Sequence, residues 1–312
     1  MPLDKQMQAI LLQMESLQIP PNEQLTPDEA REFRKLRPLA PGPETHKVSN
    51  VSVYNDGISI PVRVYEPEGS GPFPILIWYH GGGWVLGNIE TADPIARHLC
   101  EESKFVVMSV DYRLAPESKF PAAVVDAFAV ADWASKQGHI YNGDPKLVAV
   151  GGDSAGGNLA TVVALKAKQL GSPNIFFQLL VYPVTDFNFE TESYIENSEG
   201  YSLTRKGMKW FWGHYLNDEN DSCNPDATPL NAESVEGLPP ALIITAEFDP
   251  LRDEGELYGK KLQNAGVNVT ISRYDGVVHG FFTMTSVLDL SKKALKEAAN
   301  ALKFAALKTN KT

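Results

Sequence analysis

Ser154 stands at the centre of the pattern Gly-Asp-Ser-Ala-Gly, residues 152–156. The apolar run at 147–150 predicts a strand just before it, and residues from about 155 to 170 predict a helix just after it. A turn this tight between a strand and a helix strains the backbone of the central residue and requires small neighbours two positions away. The pattern therefore predicts that Ser154 is a nucleophile presented on a sharp turn.

A run of three glycines lies upstream of this serine. It lies in His-Gly-Gly-Gly-Trp at residues 80–84, directly after the predicted strand 75–79. Attack of a nucleophile on a carbonyl develops negative charge on the oxygen, and preorganised backbone N–H groups stabilise that charge. Consecutive glycines let the main chain approach closely because no side chain intervenes. We expect this loop and the N–H of Ala155 to form an oxyanion hole.

A general base should follow the nucleophile in the sequence. Where the nucleophilic serine lies on a sharp turn between a strand and a helix, the order along the chain is nucleophile, acid and base. Two histidines follow Ser154, namely His214 and His279. His214 lies in a predicted aromatic-rich helix at 204–215, where a surface or packing histidine is the more common finding. His279 follows the last predicted strand, 267–274, at the edge where parallel strands present their carboxyl ends. We predict that His279 is the base.

The acid that orients this base should follow the predicted strand 241–246. Four acidic residues stand in that region: Glu247, Asp249, Asp253 and Glu254. Asp253 and Glu254 fall within the next predicted helix, where acidic side chains commonly pair with the helix dipole. Asp249 lies on the loop itself and is the preferred acid, while Glu247 remains close to the strand.

Short apolar segments alternate with helical segments from residue 75 to residue 307. They follow two β-rich segments, 48–54 and 58–65, which are joined around Asp56-Gly57 and predict a hairpin. Near-continuous apolar strands separated by helices predict a mostly parallel sheet with helices on both faces. The sequence therefore predicts an α/β fold with an eight-stranded sheet.

One long interval interrupts this alternation, because no strand is predicted between residues 182 and 239. It contains the aromatic-rich helix, including Phe211, and it follows the carboxyl end of a strand, where sheets of this type bind ligands. We expect it to form a lid over the site. Two helices predicted in residues 1–45 can join this lid, and residues 38–43 resemble a linker. Trp84 and Phe211 are expected to shape the substrate pocket.

The composition narrows the choice of partners. The 312 residues carry 28 basic and 39 acidic side chains, a net charge of −11, so nucleic-acid binding is not expected. The sequence contains no apolar run long enough to span a bilayer, and stable membrane insertion is not expected either. Two distant cysteines, Cys100 and Cys223, form no disulfide framework and suggest the cytoplasm. No metal-ligand cluster is recognisable.

Five motifs occur in an order that resembles the bacterial hormone-sensitive-lipase-like carboxylesterases, also called family IV, over residues 45–305. These motifs are His-Gly-Gly-Gly-Trp at 80–84, Asp-Tyr-Arg-Leu-Ala-Pro-Glu at 111–117, Gly-Asp-Ser-Ala-Gly-Gly-Asn at 152–158, Asp-Pro-Leu-Arg-Asp-Glu at 249–254 and His-Gly-Phe at 279–281. The nucleophile motif is similar to that of the subgroup with Asp before the serine. The resemblance implies an α/β-hydrolase fold.

The resemblance also implies roles for individual residues. Transferred by position, the catalytic triad is Ser154, Asp249 and His279, and the oxyanion donors are Gly82, Gly83 and Ala155. His80 is expected to brace the glycine loop rather than to take part in the chemistry. No metal or organic cofactor is needed.

The family's architecture implies a division of the chain. Residues 1–45 and 183–225 would form a helical cap, while 46–182 and 226–312 would form the catalytic domain. The family also implies a preference for short acyl chains and a homodimer formed through the last strand.

Three functions fit these residues. The first is hydrolysis of short- to medium-chain carboxylic esters, with a small-molecule ester as substrate. The second is arylformamidase or small-molecule deacetylase activity, which would use the same triad on an amide. The third is a non-catalytic receptor similar to the plant gibberellin receptors. That group lacks the triad histidine, whereas His279 is present here, so the ester hydrolase is preferred.

Overall fold

One eight-stranded sheet organises the chain. The structure, a computed structural model, describes residues 2–36 and 41–309. The strands are β1 (Lys47–Asn55), β2 (Ile58–Glu66), β3 (Phe73–Tyr79), β4 (Val106–Val110), β5 (Gly143–Asp153), β6 (Ile175–Val181), β7 (Ala241–Phe248) and β8 (Val269–Val278). Their spatial order is β1-β2-β4-β3-β5-β6-β7-β8. The two pairs that include β2 are antiparallel and the others are parallel, so the predicted fold is confirmed.

Helices cover both faces of this sheet. They are α1 (Lys5–Ser16), α2 (Pro27–Lys35), α3 (Ile89–Ser103), α4 (Ala122–Gln137), α5 (Ala155–Leu170), α6 (Glu192–Glu196), α7 (Arg205–Tyr215), α8 (Arg252–Asn264) and α9 (Asp289–Thr309). Successive side chains of a strand point to opposite faces. Accordingly, Ile75 and Ile77 enter the apolar cluster that contains residues of α4 and α5, while Leu76 and Trp78 enter the cluster of α3 and α9. The central strands are apolar throughout because both faces are covered.

In the part of the chain that the structure describes, none of the helices combines the length and apolar character required to cross a membrane.

The predicted local signals near the N-terminus correspond to observed structure. The β1–β2 hairpin turns at Asp56 and Gly57, both of which have positive φ. Helix α2 begins with a capping box in which Thr26 and Glu29 exchange hydrogen bonds. In the predicted linker at 38–43, residues 38–40 lie outside the described residues.

The seventh and eighth strands extend beyond their predicted ends, which changes the position of Asp249 and His279 relative to the sheet. The prediction ended the seventh strand at 246 and the eighth at 274, whereas β7 continues to Phe248 and β8 to Val278. The two strands stay paired through Phe248 and Val278, which the apolar pattern of each strand alone does not reveal. As a result, Asp249 and His279 each directly follow the carboxyl end of a strand.

A buried ion pair fixes the loop between β4 and α4. The Asp126 side chain is 1% exposed and accepts hydrogen bonds from the Arg113 guanidinium (2.7 Å to Nη2) and from the Arg113 backbone N–H (2.9 Å). The neighbouring Tyr112 hydroxyl donates to the His80 carbonyl at 2.7 Å. The ion pair therefore holds the segment that supports the first residue of the glycine loop.

Replacing Arg113 tests this support. We expect Arg113→Met to lower the free energy of unfolding by about 2–3 kcal/mol, because the Asp126 carboxylate would stay buried without its cation. The matched control is Lys136→Met, which breaks an exposed pair with Asp132 on the same helix and should cost less than about 1 kcal/mol. Urea denaturation of both variants measures the difference, and equal losses would contradict the assignment.

Candidate active site

Ser154 occupies the strained turn between β5 and α5. Its φ is 58° and its ψ is −119°, and its N–H donates to the Val181 carbonyl at 2.9 Å. Gly156 packs so closely on the end of β3 that an added Cβ would overlap the Tyr79 carbonyl oxygen. The sequence predicts that the residue two positions after the serine must be small. The steric reason is that the end of the neighbouring strand β3 leaves no room for a side chain there.

The structure brings Ser154, His279 and Asp249 into one hydrogen-bonded chain. The His279 Nε2 atom lies 3.0 Å from Ser154 Oγ, and its Nδ1 atom lies 2.8 Å from Asp249 Oδ2. Because the carboxylate accepts, Nδ1 carries the proton and Nε2 is free to accept the serine proton. The ring of Tyr182 packs on the imidazole with centroids 4.5 Å apart, which restricts its rotation.

The fully buried Asp249 carboxylate is held on both oxygens. While Oδ2 faces His279, Oδ1 accepts the Leu251 N–H at 2.9 Å. This second bond fixes the carboxylate in the plane that the imidazole requires.

The other acidic candidates hold neighbouring segments and do not contact His279. Glu247 accepts the Gly276 N–H at 2.7 Å. Asp253 accepts the Ser193 N–H at 2.7 Å. Glu254 accepts the Thr185 N–H at 2.7 Å, and burial raises the pKa of its carboxyl well above the usual range. Of the four acidic residues weighed from the sequence, Asp249, the preferred one, is the residue that contacts His279 in the part of the chain that the structure describes.

His214 takes no part in the hydrogen-bonded series of Ser154, His279 and Asp249. It lies on α7 and packs edge-on against Trp210, with ring centroids 4.5 Å apart. Burial and the nearby cations Lys119 and Arg31 lower its pKa. Its position matches the sequence-based interpretation as a packing residue.

The glycine loop borders the same cavity as Ser154. Gly82 and Gly83 both line it, and an added Cβ on Gly83, whose φ is +60°, would overlap the ring of Phe211. Ala155 is the first residue of α5, where backbone N–H groups have no acceptor within the helix. The three residues expected to donate to an oxyanion therefore surround the nucleophile.

His80 and Asp153 hold the glycine loop in place. The His80 ring stacks on Tyr112 with centroids 4.3 Å apart, and its Nδ1 atom lies 2.9 Å from the Gly81 carbonyl oxygen. Burial lowers the pKa of His80 to about 4, so the ring is neutral near pH 7. Asp153 Oδ1 accepts the Gly81 N–H at 2.9 Å. Burial raises the pKa of Asp153 to about 6, although the Gly81 N–H opposes this shift.

The cavity over Ser154 has a volume of about 150 Å³. Phe211 lines it, as expected from the sequence, together with Met208 and Leu203 from the interval between β6 and β7. Trp84 does not line it, which corrects the sequence-based expectation. Its side chain is fully buried and stacks on Tyr215 with centroids 4.1 Å apart, so it supports the loop from behind.

Sequence reasoning missed two charged residues at this cavity, Asp153 and Arg34. Asp153 lies inside the nucleophile motif, where an aspartate before the serine indicates a family subgroup but gives no separate sign of a position at the cavity. Arg34 lies on α2, far from every motif. The available signal was helical spacing, since Ala30, Arg31 and Arg34 share one face of a helix whose start the sequence defines.

A family profile described as alpha/beta hydrolase fold matches residues 76–283. The chain belongs to this family. The interpretation of the five motifs as those of a hormone-sensitive-lipase-like carboxylesterase is also confirmed by the proteins that the chain resembles.

Relatives with names and solved structures define the similarity more closely. The carboxylic ester hydrolase LipN of Mycobacterium tuberculosis is 44% identical over 87% of this chain and 74% of its own length. The ethyl acetate hydrolase of Pseudomonas putida is 34% identical over 90% of this chain and 91% of its own. The hyperthermophilic esterase from the archaeon Pyrobaculum calidifontis superimposes with a TM-score of 0.91 at 39% identity, covering 98% and 99% of the two chains.

The raised pKa of Asp153 predicts a pH-dependent effect of Asp153→Asn, a variant that still accepts the Gly81 N–H. In wild type, the folded protein binds the carboxyl proton up to about pH 6, whereas the unfolded chain releases it near pH 4. Wild-type stability is therefore lost as the pH rises through this window, and the asparagine avoids that loss. The variant should gain about 1–3 kcal/mol relative to wild type between pH 4 and pH 7.

Denaturant unfolding of both proteins at the two pH values measures this gain. His80 titrates in the same window but is present in both proteins, so its contribution cancels to first order in the difference. A stability difference that does not change with pH would contradict the buried position of the carboxyl.

Proposed function

We propose that this protein is a carboxylesterase that hydrolyses short- to medium-chain esters through a serine acyl-enzyme. The observation that carries the proposal is the hydrogen-bonded chain from Ser154 through His279 to Asp249, with distances of 3.0 and 2.8 Å. Ser154 borders a cavity that is also lined by Gly82 and Gly83 of the glycine loop. The relatives support an ester rather than an amide substrate, since their names are those of ester hydrolases.

Acylation begins when His279 Nε2 takes the proton from Ser154 Oγ, which attacks the ester carbonyl. The Asp249 carboxylate accepts from Nδ1–H and stabilises the imidazolium that forms. Negative charge develops on the carbonyl oxygen, towards which we assign the N–H groups of Gly82, Gly83 and Ala155. The imidazolium then protonates the leaving alcohol, and the acyl group remains on Ser154.

Deacylation repeats these steps with water as the nucleophile. His279 takes a proton from water, hydroxide adds to the acyl carbonyl, and the same backbone donors stabilise the oxyanion. The imidazolium returns the proton to Ser154 Oγ as the carboxylic acid leaves. Each cycle consumes one ester and one water and regenerates the resting enzyme.

We further propose that residues 1–45 and 183–225 form a cap over a catalytic domain made of 46–182 and 226–312. One contact joins the two cap segments, since the Trp210 Nε1–H donates to the Leu25 carbonyl at 3.1 Å. A second contact seats α2 beside the glycine loop, where Arg31 donates to the Val85 carbonyl at 3.0 Å. Helix α1 differs in that it packs on β8 and buries Met7 completely.

The remaining expectations stay predictions. A cytoplasmic location is consistent with two free cysteines, Cys100 and Cys223. A homodimer through the last strand is consistent with the position of β8 at an edge of the sheet.

Substitution of the triad tests the mechanism. We expect Ser154→Ala and Asp249→Asn each to lower kcat for p-nitrophenyl butyrate by at least about 10⁴-fold, since one removes the nucleophile and the other the acceptor that sets the histidine tautomer. Asp275→Asn is a matched control, because this exposed aspartate precedes the same histidine and does not contact it. Circular dichroism verifies folding, and full activity of the folded Ser154→Ala protein would exclude the proposed nucleophile.

A chain-length series tests the substrate range. The cavity of about 150 Å³ is smaller than the roughly 300–1,000 Å³ of most ligand sites, so it favours small acyl groups. We expect kcat/KM for p-nitrophenyl esters to be highest between acetate and octanoate and to fall by at least about tenfold towards palmitate. A maximum beyond decanoate would instead indicate a lipase. N-formylkynurenine in the same assay tests the amide alternative.

A further inference from the structure

The Arg34 side chain places a positive charge at the cavity that Ser154 borders. The cavity is lined by Arg34 as well as by Ser154, Gly82 and His279. The partly buried guanidinium forms no hydrogen bond or ion pair within the described residues. The undescribed segment 37–40 that follows α2 contains no acidic residue. A buried guanidinium normally satisfies several of its five N–H donors, so Arg34 lacks a hydrogen-bonded anion within the described residues.

The docking of α2 fixes the direction of this side chain. Arg31 donates to the Val85 carbonyl at 3.0 Å and to the Ala115 carbonyl at 2.9 Å, and it forms a two-point ion pair with Glu117. Ala30, on the same side of the helix, is 3% exposed. Arg34 lies three and four residues further along and therefore shares the inward face. The docked helix therefore holds Arg34 beside the cavity, and the side chain also borders the open surface groove next to α2.

Asp153 is the acidic side chain at the cavity and does not neutralise Arg34. The two groups form no ion pair within 4.0 Å, and Asp153 uses Oδ1 to accept the Gly81 N–H. A carboxylate in direct contact with an arginine has a depressed pKa, whereas the pKa of Asp153 is raised to about 6 by burial. Arg34 keeps its charge and its donors for another partner.

We propose that Arg34 binds a carboxylate of the substrate, so that the preferred substrates are short esters that also carry a free carboxylate. This inference rests on the proposed ester hydrolysis and names the substrate class. A planar guanidinium matches a carboxylate with two parallel hydrogen bonds, and it is always charged at the pH at which esterases operate. Arg34 and Ser154 line the same cavity of about 150 Å³, so we expect a carboxylate a few bonds from the ester group to reach the arginine while the carbonyl lies at Ser154.

Two pairs of substrates separate charge from size. Monomethyl glutarate and methyl valerate differ only in whether the acyl chain ends in a carboxylate or a methyl group. Acetoxyacetate and ethyl acetate differ in the same way on the alcohol side. Proton release in a pH-stat gives kcat/KM for each, and the ratio of charged to neutral ester in each pair measures recognition of the carboxylate.

Arg34→Met should lower this ratio by about tenfold to a hundredfold in at least one pair, because hydrogen bonds to a charged group are lost. The matched control is Lys35→Met, which removes the same charge from the next position, where the side chain is exposed and pairs with Glu32. Its ratio should stay within about twofold of wild type. Arg34→Lys keeps the charge without the planar fork and should give an intermediate ratio.

An unchanged ratio in both pairs for folded Arg34→Met would overturn the proposal, as would an equal loss on charged and neutral esters. Binding to the inactive Ser154→Ala protein provides a readout that needs no turnover. Calorimetry should detect monomethyl glutarate at least about tenfold more tightly in Ser154→Ala than in Ser154→Ala combined with Arg34→Met. Equal binding would also overturn it, whereas failure of wild type to hydrolyse any of the four esters would count against the proposed ester hydrolysis.

Discussion

The carboxyl end of β3 and the turn after β5 lie so close together that residue 156 has no room for a side chain. The rest of the site depends on this contact. It sets the nucleophile turn beside the glycine loop, and it aims the first N–H groups of α5 at the same space. Asp153 then bonds to the Gly81 N–H across the gap. Because both partners are main-chain segments at strand ends, the position of the nucleophile relative to its oxyanion donors is part of the sheet itself.

A second pair of strands, β7 and β8, fixes the backbone positions of the candidate acid and base in a similar way. Their ladder continues to Phe248 and Val278, the residues immediately before Asp249 and His279. The hydrogen bond between these two side chains therefore joins residues whose backbones are already fixed. A site built on strand ends loses little conformational freedom when the transition state forms.

Burial, more than ion pairing, determines the protonation states of the groups around Ser154. His80 is neutral near pH 7 because burial lowers its pKa to about 4, and Asp153 keeps its proton up to about pH 6 for the same reason. Arg34 stands as a cation with no hydrogen-bonded anion within the described residues, and it interacts with Asp153 without forming an ion pair. Such a site is neither an apolar acyl pocket nor a closed ion-pair network. Its electrostatic character comes from a residue of α2, outside the region matched by the family profile.

The sequence alone predicted the alternating architecture and the candidate nucleophile and base, because these depend on local patterns and on chain order. A strand, a five-residue turn and a helix define Ser154, and a single suitable histidine follows it. The sequence preferred Asp249 over Glu247, Asp253 and Glu254, because Asp249 lies on the predicted loop itself. Its contact with His279 depends on the ends of β7 and β8, which are set by pairing between the strands. Two features could be learned only from the packing of α2 and α7 around the glycine loop. They are the burial of Trp84 behind the loop and the position of Arg34 at the cavity. Contacts between segments distant in sequence leave no periodic signal.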